Sequence, residues 1–312
     1  MNTHEHPIFN QSNFFIPTKQ IELLKDELEC WLSNGSTGGV ILGAPRQGKS
    51  KAIKFISTQL KNRVSEHIPS AYISVKPRDT STVTSIFKNL AYSLDIPFKA
   101  RATSDDISNL ICIHLAEMAV GNNTNQVVLF VDEVQRLKAQ QLEVFAEIFD
   151  ELSYIGVNLS VFFIGNDIES EGLISQIKSY KNELIRGRFF TLFCEFEGLK
   201  NIEELRFCLK KYDSVKFEAV ENKTITEFFL SELHKQGWKI ESLAEIIWDV
   251  FIEEYKTKLK ISSWGMQYFT AAIRTLIVDY IPRYGLQDDA SMRQMVEESI
   301  KVSGLISSTV QF

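Results

Sequence analysis

The eight residues Gly43-Ala-Pro-Arg-Gln-Gly48-Lys49-Ser50 constrain this chain more than any other stretch. The apolar run Val40-Ile41-Leu42 precedes them, and Ala52-Ile53-Lys54-Phe55-Ile56 follows at helical spacing. The pattern G-x-x-x-x-G-K-[ST], set between a strand and a helix, describes a loop whose backbone closes around a phosphate. Gly43 and Gly48 allow the close wrap, Ala44, Pro45, Arg46 and Gln47 fill the free positions between them, and the loop's N–H groups (Pro45 has none) lead into a helix N-terminus with positive potential. Lys49 then reaches the β- and γ-phosphates of ATP, and the Ser50 hydroxyl is a ligand for Mg²⁺.

A second motif supplies the partner carboxylates. Val127-Val-Leu-Phe-Val131 is a continuous apolar run of the kind buried in parallel sheets, and it ends in Asp132-Glu133. Asp132 is placed to hold the metal, and Glu133 to polarise an attacking water as general base. The next apolar strand, Val161-Phe-Phe-Ile164, ends at Gly165-Asn166, where an amide can orient that water. A turn-forming Asn is the alternative reading there. Arg186-Gly-Arg188 precedes a run read as a fifth strand, Arg188 to Phe193. An arginine at that end of a subunit can reach a neighbour's nucleotide and stabilise transition-state charge; Arg188 is the first candidate and Arg186 the alternate.

Strand alternating with helix from residue 18 to 200 predicts a doubly wound α/β fold: a phosphate-loop parallel sheet flanked by helices. Residues 1–17 read as an arm carrying Ile8, Phe9, Phe14, Phe15 and Ile16. Thr18 caps a helix to about Ser33. The helix after the phosphate loop is expected to run to about Arg63. From residue 201 onward the pattern is helical only (225–234, 243–255, 264–280 and 292–302), which predicts a small all-helical lid and C-terminal tail.

With 44% hydrophobic and 24% charged residues, the 312-residue chain has the composition of a soluble globular protein. No apolar stretch approaches a membrane span, so no membrane partner and a cytoplasmic location are expected. Cys30, Cys112, Cys194 and Cys208 are scattered, without zinc or disulfide spacing. The net charge of −6 weighs against a nucleic-acid binder. That excess is not uniform: residues 213–312 hold 11 Lys+Arg against 15 Asp+Glu, leaving 23 against 25 before them.

The order of phosphate loop, Asp-Glu strand, Asn-tipped strand, paired arginines and helical lid resembles the AAA+ ATPases over roughly residues 18–280. Within them, Gly43 to Ser50, Phe130-Val-Asp-Glu-Val-Gln-Arg-Leu137 and Phe162-Phe-Ile-Gly-Asn-Asp167 are similar to the TniB/TnsC transposition regulators. That resemblance implies a homo-oligomeric ring or filament, assembled with ATP and Mg²⁺ on double-stranded DNA, that couples a target-selection protein to a transposase. It also implies that the insertion after the second strand lines the DNA. Here that segment offers Lys99, Arg101 and Thr103, with Lys76 and Arg78 nearer the strand end; Arg136 and Lys138 are second-rank candidates. One departure concerns the lid, where many AAA+ proteins place an Arg after a Gly and this chain has Gly265-Met-Gln-Tyr268. Two other readings remain open: a scaffold or signalling ATPase that never touches DNA, and a helicase-loader-like ATPase.

Overall fold

The computed structural model describes residues 6–10, 14–77, 82–178, 183–217 and 222–305. By internal contacts the chain divides into two units. One comprises Leu23–Pro45 and Lys49–Phe196, the other Met1–Glu22, Arg46–Gly48 and Glu197–Phe312.

The first is the α/β unit, and its core is a parallel sheet of five strands in the order β2-β3-β4-β1-β5. These are β1 (Gly38–Gly43), β2 (Ser70–Ser74), β3 (Gln126–Asp132), β4 (Asn158–Asn166) and β5 (Phe193–Glu195). The helices are α1 (Lys19–Ser33, from Leu23 onward in this unit), α2 (Lys49–Ser57), α3 (Val83–Ser93), α4 (Ser104–Gly121), α5 (Glu143–Tyr154), α6 (Asp167–Ile177) and α7 (Glu183–Phe189). Val127 to Val131 and Val161 to Ile164 are wholly buried, as expected for strands covered on both faces. The register sets the site. Gly43 pairs with Asn166 across β1 and β4, Asp132 with Ile164 across β3 and β4, and Ser74 with Asp132 across β2 and β3. The carboxyl ends of four strands therefore align on one edge, the position where doubly wound folds bind ligands.

Three expectations are corrected. Residues 188–193 are not one strand: α7 runs through Arg188 to Phe189, and β5 begins only at Phe193. Phe189 and Phe190 are both buried, with their rings 6.0 and 5.1 Å from that of Phe163. Consecutive strand residues face opposite ways, so a helix end is what delivers both rings to one core. The helix after the phosphate loop stops at Ser57, and farther along the Asn62 side chain accepts from the N–H groups of Val64 (3.0 Å) and Glu66 (2.9 Å), closing a turn where helix was expected. Strand does occur after residue 201, as a short antiparallel pair, Lys216–Phe217 with Lys223–Thr224.

Among its described residues the second unit is otherwise mainly helical, built from α8 (Ile202–Ser214) and a series of helices through Asp289–Val302. The segments expected at 243–255 and 264–280 pass into π-helical turns at Phe251–Lys256 and Leu276–Tyr280. Its core stacks Trp264 on Phe251 with centroids 4.5 Å apart. Ile8, Phe14 and Ile16 of the arm are buried in the same cluster.

Candidate nucleotide site

The site begins where β1 stops. Gly43 lies so close to the Phe196 carbonyl oxygen that a Cβ would come within 2.0 Å of it, and Gly48 sits at φ +100°, a conformation that favours glycine. Lys49 opens α2 and folds back over the loop, donating to the carbonyls of Gly43 (2.5 Å) and Ala44 (2.8 Å). Burial pushes the Lys49 ammonium below its ordinary range, while the carboxylates of Asp167, Asp132 and Glu133 pull it back up. A half-buried cation held by loop carbonyls, beside the N-terminus of a helix, fits the phosphates of a nucleotide.

Asp132, at the tip of β3, is buried and collects three hydrogen bonds. Its Oδ2 accepts from Ser50 Oγ (2.5 Å) and from the Tyr72 phenol, and its Oδ1 from the Glu133 backbone N–H (2.8 Å). Burial and the Asp132 hydrogen bond push the Tyr72 phenol well above its ordinary range, so it donates as a neutral hydroxyl. Among the described residues no group of three or more His, Cys, Asp or Glu could hold a metal ion by itself. Ser50 and Asp132 together form a small, hard oxygen set, which suits Mg²⁺ that keeps waters and takes its remaining ligands from phosphates.

Glu133 adopts a left-handed backbone conformation (φ +64°, ψ +41°). Its Oε2 accepts from Gln135 Nε2 at 2.8 Å and pairs with Arg136 at 3.1 Å. Arg136 also donates to the Val75 carbonyl just beyond β2, at 2.7 Å. Gln135 reaches the other way, its Oε1 accepting from the Asn166 N–H at 3.3 Å. The Asn166 side-chain oxygen caps α6 by accepting from Ile168 N–H at 3.1 Å, leaving its amide nitrogen as the group with which it could orient a water.

Arg46, Gln47 and Gly48 group with the helical unit. Within it Arg46, at φ +65°, donates to the Tyr268 hydroxyl at 2.7 Å and lies 5.4 Å from the centre of that ring. Gln47 is buried and donates to Ser263 Oγ at 3.3 Å. The tyrosine found in place of the lid arginine is thus the partner of an arginine from the phosphate loop.

Arg188 is tied into its own unit: it grips Asp150 with two contacts, 2.9 and 3.0 Å, and lies 5.0 Å from the centre of the Phe149 ring. Among the described residues Arg186 makes long contacts, 3.3 Å to the Lys178 carbonyl and 3.8 Å to Glu183. Of the residues expected to face DNA, Lys76, Lys99 and Arg101 are exposed. Thr103 instead caps α4, exchanging hydrogen bonds with Asp106. Arg78 lies outside the described residues. Sequence reasoning missed Tyr72 and Gln135, and it placed Arg136 among DNA contacts. The available signal for Tyr72 was the alternation in Ser70-Ala-Tyr-Ile-Ser74, which puts Tyr72 opposite the buried Ala71 and Ile73.

Residues 33–174 match the protein-family model described as an AAA domain. No curated protein matches the chain. Similar solved structures include the Walker-type ATPase PABY2304 of Pyrococcus abyssi, with 16% identity, 96% of this chain and 75% of that chain covered, and a TM-score of 0.48. Cdc6p from Pyrobaculum aerophilum shows 16% identity, with 96% and 84% covered and a TM-score of 0.45. The ORC1 protein of Aeropyrum pernix, solved in complex with DNA, shows 12% identity, with 97% and 86% covered and a TM-score of 0.45. At such identities and scores these likenesses assign no activity. Residues 33–174 form an AAA domain, and the chain that carries it is a P-loop ATPase.

Proposed function

We propose that this ATPase is a regulator of DNA transposition of the TniB/TnsC kind. In that reading it assembles with ATP and Mg²⁺ as a homo-oligomer on double-stranded DNA and couples a target-selection protein to a transposase. The observation that carries the nucleotide part is the Lys49–Ser50–Asp132 constellation, in which a half-buried ammonium and a hydroxyl–carboxylate pair stand at one edge of the sheet. Lys49 would exchange its loop carbonyls for phosphate oxygens, and Ser50 and Asp132 would hold Mg²⁺, which neutralises charge on the phosphates. Glu133 would polarise the attacking water and Asn166 would orient it. Arg186 or Arg188 would reach the nucleotide of a neighbouring copy.

The DNA part is supported by Lys99 and Arg101, both exposed on a stretch without an acid between Asp95 and Asp105. Such residues suit phosphate contact rather than base reading. The transposition part is supported by the wording of the three motifs. The net charge of −6 favours a second reading, a scaffold ATPase without DNA.

Fluorescence anisotropy of a labelled random-sequence duplex separates the two. With Mg²⁺ and a slowly hydrolysed ATP analogue, the regulator binds tightly and cooperatively, and it loses binding without nucleotide or in Lys49→Ala. Absence of binding in both nucleotide states at moderate salt would sink the DNA reading and leave the scaffold ATPase.

A further inference from the structure

Strand β2 contributes a phenol to the metal carboxylate. Ser70, Tyr72 and Ser74 alternate with the buried Ala71 and Ile73, so they share the opposite face of the sheet. Tyr72 pairs with Phe130 and Ser74 with Asp132, which puts the Tyr72 and Asp132 side chains on one face, diagonally across neighbouring strands. That diagonal is within reach of an aromatic side chain. Helix α2 brings Ser50 to the same face, and Ser70 Oγ fastens β2 to the end of α2 by donating to the Ser57 carbonyl at 2.6 Å.

The Tyr72 hydroxyl and Ser50 Oγ both donate to Asp132 Oδ2. Lys54 Nζ, one helical turn beyond Ser50, stands 4.8 Å over the Tyr72 ring and restricts its swing. The Glu133 N–H fixes the other oxygen, Oδ1. The carboxylate is therefore held at both oxygens, by a side chain from a different strand and by its own chain.

We infer that Tyr72 is a positioning residue for the divalent cation: by donating to Asp132 Oδ2 it fixes the rotation of the carboxylate and so sets how strongly Mg²⁺ is held with the nucleotide. The inference rests on the reading of Ser50 and Asp132 as the Mg²⁺ site. When the cation takes a lone pair of Ser50 Oγ, that hydroxyl still donates to Asp132, and the phenol keeps the plane of the carboxylate unchanged. Tyr72 acts on the carboxylate and not directly on nucleotide or cation in this proposal. Its effect is on metal affinity, as for other residues that orient a ligand from behind.

The test is nucleotide binding followed with a fluorescent ATP analogue while Mg²⁺ is titrated from a chelated start, for the full chain and for Tyr72→Phe. The phenylalanine keeps the ring and removes one hydroxyl. The expected result is a shift of the Mg²⁺ midpoint to roughly tenfold higher concentration, with metal-free nucleotide affinity unchanged. An unchanged midpoint overturns the inference. So does an equal loss of metal-free binding, which would make Tyr72 a structural residue of the loop. Asp132→Asn tests the underlying site separately: if that variant keeps the wild-type Mg²⁺ dependence, the metal site itself has been misplaced, whatever Tyr72→Phe does.

Discussion

Arg136 ties Glu133 to the end of β2: its guanidinium lies 3.1 Å from Glu133 Oε2 and donates to the Val75 carbonyl at 2.7 Å. The candidate base thus has one carboxylate oxygen committed to Arg136 and Gln135 before any substrate arrives. Freeing it should help it polarise water. Both partners of the ion pair are about one-third exposed, so the pair is worth at most about 1 kcal/mol. Arg136→Ala is therefore expected to raise basal ATP turnover, by no more than about fivefold, in steady-state assays at saturating ATP. Turnover at or below wild type would show that the pair does not restrain the base. Glu133→Gln is the companion variant: it keeps nucleotide binding and loses hydrolysis.

The two arginines of α7 call for different outcomes. Arg188 is committed to Asp150 and to the Phe149 ring, so Arg188→Ala should lower the melting temperature, with a loss on the order of 1 kcal/mol. Among the described residues Arg186 has two long contacts, which suit a side chain that extends toward another copy. Arg186→Ala should leave melting unchanged and cut the turnover of the assembled protein, on the order of a thousandfold if it acts as a trans arginine. If Arg188→Ala alone abolishes turnover while melting normally, the assignments exchange.

The strands were legible in the sequence because burial on both faces leaves uninterrupted apolar runs, as at Val127 to Val131 and Val161 to Ile164. The loop and Asp132 were legible because their chemistry fixes spacing as well as residue type. What escaped was cross-strand. Tyr72 meets Asp132, and Arg136 meets Val75, only once β2 lies beside β3, and neither pair leaves a periodic trace along the chain. The strand assigned to 188–193 failed for a related reason. A run of aromatic residues has high strand propensity, yet Phe189 and Phe190 are both drawn to Phe163 by tertiary packing. Thr103 shows the converse. Beside Lys99 and Arg101 it looked like a phosphate contact, but its spacing to Asp106 is a helix-capping box.

That capping box commits the Thr103 side chain and leaves Lys99 and Arg101 as the pair to test in this stretch. Hydrogen bonds with Thr103 hold the Asp106 carboxyl below its usual range, and Asp105 stands next to it, so the start of α4 presents negative charge. Lys99 and Arg101 remain the cations for phosphate. If each contacts one phosphate, the double variant Lys99→Ala with Arg101→Ala should lower the slope of log affinity against log salt by roughly 1.8. The slope is measured by anisotropy of a duplex across a salt series with the nucleotide analogue present. An unaltered slope would remove this stretch from the interface.

The arm gives a prediction about pH. His6 is buried, accepts from the Ile8 N–H through Nδ1 (3.0 Å), and is surrounded by the rings of Phe217, Phe228 and Phe229 with centroids 5.6, 4.9 and 4.9 Å away. Its Nε2 has no hydrogen-bond partner among the described residues, so a second proton there has nothing to donate to. Burial lowers its pKa from 6.5 to about 4. In the unfolded chain the imidazole titrates near its ordinary value, so between these pH values the unfolded state binds more protons. The stability contributed is fully present above pH 6.5 and is lost as pH falls toward 4, to an extent of up to about 3 kcal/mol at 1.36 kcal/mol per pKa unit. Carboxylates also titrate below pH 5, so the informative quantity is the difference between wild type and a variant. His6→Asn retains an acceptor for Ile8 N–H and cannot be protonated in this range. Thermal unfolding between pH 7.5 and 4.5 should show the wild type losing more stability than His6→Asn. Parallel curves would mean that His6 is protonated in the folded arm, and that the aromatic enclosure does not exclude the charge.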